Sequence, residues 1–142
     1  MFRKILLPLD LDPKHHRAVD TAIALAKHAD GEVTLLHVIE SIEGLEAEED
    51  KDFYEQLEAA SRDVLKKFHE QLEHAGVRAH WEICYGKHSA EILRHIGEHE
   101  IDLIVLTSPR YDPDHPQAAA ASLSWKLGVV SPCTVLLIKN AE

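Results

Sequence analysis

The chain has 142 residues, 45% hydrophobic and 28% charged, which suits one globular domain with a real core and excludes a disordered chain. A net charge of −10 has the wrong sign for a broad DNA- or RNA-binding surface. No apolar run approaches the length of a membrane-spanning helix, so membrane insertion is not expected.

The first element is the apolar run "KILLPLD" (Lys4–Asp10). The segment from the N-terminus to Asp10 is too short for a signal peptide and reads as a strand. From Pro13 to Ala29, Val19, Ala22, Ile23 and Ala26 form one helical stripe, with Gly31 placed to end it. "EVTLLHVIE" (Glu32–Glu40) is the second strand. Residues 43–55 hold seven acids and one lysine, a solvated loop and helix start. The longest helix is expected from about Glu46 to Ala75, with Leu57, Val64, Phe68 and Leu72 at helical spacing and Gly76 as the stop.

"VRAHWEICY" (Val77–Tyr85) alternates as a third strand, with Trp81 on the core side. Ser89 is expected to cap a helix that runs to His99 and carries Ile92, Leu93 and Ile96. "IDLIVLTS" (Ile101–Ser108) is the fourth strand. A loop with Pro109, Pro113 and Pro116 then leads into a helix at about Ala118–Val130, and "CTVLLIK" (Cys133–Lys139) is the fifth strand. Strands apolar on both faces, alternating with helices, predict a doubly wound α/β domain with a parallel sheet, spanning residues 1–142. Cys84 and Cys133 sit in apolar segments, as reduced thiols in a cytoplasmic protein would.

In such folds ligands bind at the carboxyl ends of strands, where the strand order reverses. That directs attention to "PLDLDPK" and "LTSPRYDP". A phosphate-binding loop there is usually rich in glycine, yet none of the six glycines lies between Gly97 and Gly128. His95 and His99 have the i, i+4 spacing that can grip a metal. No carboxylate or cysteine completes their set in the sequence, and both read as surface residues, so no metal site is assigned. His15, His16 and His88 are among a total of eleven histidines, which leaves a pH- or metal-responsive role open. Ser108, Ser122 and Ser124 lack the flanking pattern of a hydrolase nucleophile. Trp125 reads as packing or dimer surface.

"KILLPLD" followed by "AVDTAIALAKHADGEVTLLHVIE", and "DLIVLTS" followed by "SPCTVLLIK", resemble the universal stress protein family over nearly the whole chain. The resemblance implies a five-stranded parallel sheet of order 3-2-1-4-5, an adenine nucleotide alpha hydrolase-like fold. It implies a cytoplasmic homodimer paired through the last strand, here Thr134, Val135, Leu136, Leu137 and Ile138. That pairing would also protect an exposed apolar edge. It implies a stress-response regulatory or protective module acting on an unknown protein partner, not an enzyme. His37 matches a family residue and reads as a packed, hydrogen-bonded strand histidine.

ATP-binding members resembling this chain carry three glycines in the loop after the fourth strand. Thr107, Arg110 and Ala121 stand at those places, and only Ser122 matches. The spacing from Arg110 to Ala121 is also one residue longer than the motif. Glycine there lets backbone N–H groups turn toward phosphates; side chains and prolines do not. Asp112 and Asp114 bring negative charge to the same place, whereas Arg110, His115, Lys126 and Ser122 could hold a phosphate by side chains. By the resemblance, Pro8, Asp10 and Val38 would contact adenine and ribose. The expectation is a degraded motif with no bound cofactor; the alternative is a switch that binds ATP or AMP with Mg2+.

Overall fold

The computed structural model describes residues 1–40 and 50–139. Its strands are β1 (Lys4–Pro8), β2 (Glu32–Ile39), β3 (Arg78–Tyr85), β4 (Leu103–Ser108) and β5 (Thr134–Lys139). Its helices are α1 (His16–Ala29), α2 (Lys51–His74), α3 (His88–His99), α4 (Pro116–Ala120) and α5 (Leu123–Val130). All strand pairs are parallel, in the order β3-β2-β1-β4-β5.

The central strands β1 and β4 are almost wholly buried, which explains their unbroken apolar runs. β3, at an edge, alternates between exposed and half-buried residues. Two cores follow from the double winding. One packs Ile5, Leu7, Leu35 and Val105 with Val19 and Ala22 of α1 and Leu65 and Leu72 of α2. The other packs Leu6, Leu36 and Ile104 with Ile92 and Ile96 of α3 and Leu127 of α5. Trp81 and Ile83, half-buried, pack against the first core.

Several boundaries differ from the sequence expectations. Pro13–His15 forms a 3-10 turn before α1, because the Asp12 carboxylate accepts from the Lys14 N–H and caps a tight first turn. Asp30, with φ of 53°, takes the left-handed position that ends α1. Gly31 is needed for another reason, since a Cβ there would lie 2.9 Å from the Arg3 backbone. The expected start of α2 at Glu46 lies outside the described residues, while Gly76 stops the helix with φ of 82°. The buried positions of α2 are Tyr54, Ser61, Leu65 and Leu72; Leu57, Val64 and Phe68 flank them half-buried.

Ser89 does not cap α3. Lys87 holds the cap position, and the Glu40 carboxylate accepts the His88 N–H at 3.0 Å. The single helix expected at 118–130 is two. Ser122 leaves helical geometry and caps α5 by accepting the Trp125 N–H at 3.2 Å.

Candidate functional site

The strand order reverses between β1 and β4, and a cleft of about 490 Å³ opens at their carboxyl ends. Leu36, Val38, Ile92 and Leu106 give it an apolar floor. Around this floor stand Asp10, Lys14, His15, Glu40, His88, Thr107, Ser122, Ser124 and Lys126. Its size and mixed lining suit a small molecule with one flat apolar part and a few polar groups.

A side-chain bridge crosses the reversal point. His15, buried, places Nε2 at 2.6 Å from Asp10 Oδ1 and Nδ1 at 2.9 Å from Thr107 Oγ1. When Nε2–H donates to the carboxylate, Nδ1 accepts the Thr107 hydroxyl proton. The loop after β1 is thereby tied to the end of β4. Desolvation pushes the Asp10 carboxyl up, but the hydrogen bonds from His15 and the Asp12 N–H, with the charges of His15 and Lys14, hold it well below the usual carboxylate range.

On the opposite wall His88 Nδ1 lies 2.7 Å from Glu40 Oε1. The backbone N–H of His88, then its ring, holds the Glu40 carboxyl below its ordinary value. Lys14 leans on Asp10 at 3.6 Å. Lys126 has no ion-pair partner among the described residues. Ser122 already donates to the Ala119 carbonyl at 2.7 Å, so its hydroxyl proton is committed within the chain.

Six of the seven cleft residues read from sequence line this cleft: Pro8, Asp10, Val38, Thr107, Ala121 and Ser122. Arg110 does not; it is exposed and outside the lining. Of the three loop prolines only Pro109 lines the cleft; Pro113 and Pro116 are exposed and outside the lining. His115 pairs with Asp112 at 3.0 Å, and both are exposed outside the lining, as is Asp114. Lys14, His15, Glu40 and His88 also line the cleft, and the sequence reading does not assign them to it. Their place just after β1, after β2 and at the start of α3 is the signal that could have found them.

The sequence profile of the universal stress protein family matches residues 1–139. The chain belongs to the universal stress protein family. Universal stress protein YxiE of Bacillus subtilis is 29% identical over 153 aligned positions, covering 98% of this chain and 100% of that protein. Universal stress protein UspA from Lactobacillus plantarum is 25% identical, with a TM-score of 0.78 over 96% of this chain and 97% of that one. A family member from Arabidopsis thaliana, solved with AMP bound, is 19% identical, with a TM-score of 0.70 over 96% of this chain and 91% of that one.

In this universal stress protein two further histidines are structural or clustered. His37, buried in β2, holds Nδ1 at 2.7 Å from the Leu9 carbonyl and anchors the exit of β1. His95 corrects the surface reading: it is 4% exposed, its ring stacked on His99 at 4.1 Å and its Nδ1 at 3.3 Å from Glu82. At three residues from Ile92 and one from Ile96, it shares their buried face. Desolvation, then the neighbouring His99, pushes the His95 imidazole below its ordinary value. Cys84 and Cys133 are free and half-buried. Among the described residues no helix is long and apolar enough to cross a membrane.

Proposed function

We propose that this universal stress protein is a cytoplasmic, homodimeric stress-response binding module without catalytic turnover, whose cleft takes an adenine nucleoside monophosphate in preference to ATP. The observation that carries the reading is the division of the cleft. Its apolar floor of Leu36, Val38, Ile92 and Leu106 suits a purine face, and Asp10 beside it offers a carboxylate to ribose hydroxyls. The region where a glycine loop would meet a phosphate chain is instead held by the His15–Thr107 bridge, and Ser122 has committed its proton to Ala119. Lys126, without an ion-pair partner among the described residues, offers a cation to one phosphate group. The AMP-bound relative from Arabidopsis thaliana is consistent with a ligand of that size.

A second reading, an ATP-binding switch with Mg2+, is favoured by the open cleft and by Lys14 and Lys126 together in its lining. Isothermal titration with AMP, ADP and ATP, each with Mg2+, separates the two. The expected result is AMP binding tighter than about 100 μM, roughly −5.5 kcal/mol, with weaker binding as phosphates are added. Tighter binding of ATP than AMP would establish the switch. No heat with any of the three would remove the nucleotide from the function and leave a protein partner as the ligand.

A further inference from the structure

A second cleft of about 360 Å³ lies between β2, β3 and the C-terminal half of α3. It is separate from the first cleft, which meets α3 at His88, Ser89 and Ile92. The second is lined by Glu82 of β3 and by His95 and His99 of α3. One ligand atom from each of these three lies within 4.8 Å of the others. We infer that Glu82, His95 and His99 form a binding site for a divalent transition-metal ion, with Zn2+ as its best occupant.

The donor set argues for the metal. Two imidazoles and one carboxylate suit zinc and its neighbours better than calcium or magnesium, which prefer all-oxygen shells. Two histidines one helical turn apart present their rings on one face. His95 is the fixed member, buried among Ile92 and Ile96, and needs no ordering when an ion arrives. Glu82 and His99 are exposed and can close the gap. A tetrahedral zinc with bonds near 2.1 Å wants donor atoms roughly 3.4 Å apart, and the three donor atoms already lie within 4.8 Å of one another.

Besides the three donors, Lys4, Glu32 and His80 line this cleft, and the charges of Arg94 and Glu98 also act on His95. Lys4 donates to the His99 carbonyl at 3.3 Å, and His80 sits 3.5 Å from Glu32. An ion here would staple edge strand β3 to α3, reinforcing the Glu82–His95 contact at 3.3 Å that already joins them.

The test is a titration of tag-free, chelator-treated full-length protein with Zn2+, repeated with Co2+ for its visible absorption. The expected result is one ion per chain, a tetrahedral Co2+ spectrum and a rise in thermal midpoint on adding Zn2+. His99→Ala and Glu82→Gln, both at exposed positions, should each weaken binding about tenfold or more and abolish the thermal rise. His28→Ala, on the exposed face of α1, should change nothing. The proposal fails if no stoichiometric ion binds. It fails equally if His99→Ala and Glu82→Gln bind as the wild type does, which would assign the ion to other histidines.

Discussion

Asp10 serves two partners with one carboxylate oxygen. Its Oδ1 accepts the Asp12 N–H at 2.9 Å and pairs with His15 at 2.6 Å. Because these partners favour the ionised form, the folded carboxyl sits below the ordinary value of 3.8. Stability from this group is therefore fully present above about pH 4 and is lost as pH falls toward the lower folded value. Urea melts of the wild type and Asp10→Asn, taken from pH 7 to pH 3, should show a gap that narrows below pH 4. A gap that stays constant across that range would mean the His15 bridge does not select the charged carboxylate. In the sequence Asp10 is visible as a strand-end acid, but the bridge it enters is not, because the His15 contact to Thr107 spans 92 residues.

Among the secondary-structure elements, two glycines should respond to the same substitution with opposite sign. Gly31 sits where β2 begins, and its Cα faces the Arg3 backbone so closely that a Cβ would lie 2.9 Å from it. Both sides are backbone, and neither can swing away. Gly31→Ala should cost about 1–3 kcal/mol, the usual range for overpacking. Gly97, inside α3, has nothing within 4 Å of an added Cβ. Gly97→Ala should stabilise by about 0.5–1 kcal/mol, because alanine loses less backbone freedom in a helix. Thermal melts of both variants check the pair, and equal signs would refute the packing argument at Gly31. The sequence marks Gly31 correctly as special but for the wrong reason. Asp30 ends the helix, and only the neighbouring chain shows why residue 31 cannot carry a side chain.

For the whole molecule, what covers β5 matters most. It is an edge strand with unpaired backbone groups, and it exposes Leu137 by 36%. α5, packed on β5, exposes Trp125, Val129 and Val130, the last two by 70% and 55%. An exposed apolar edge of this kind calls for a partner, and a second copy of the same strand would supply one with two-fold symmetry. Sedimentation should find a dimer in the wild type and a monomer in Leu137→Lys, with little change in helix content. A wild-type monomer would rule out self-pairing through β5.

The family, the five strands and the parallel double winding are legible in the order of the amino acids, because they rest on local apolar periodicity and on motifs read along the chain. Six residues that the fold gathers around one cleft are legible too, because the strand ends of a parallel sheet share one edge. Arg110 is not, since the direction of an irregular loop depends on what packs beneath it. His95 reads as a surface residue, although its spacing from Ile92 already puts it on the buried face. The grouping of Glu82 with His95 and His99, and of Asp10 with His15 and Thr107, exists only in the folded chain. Each joins side chains from different elements, and only the crossing of α3 over the sheet and the reversal between β1 and β4 bring them close together.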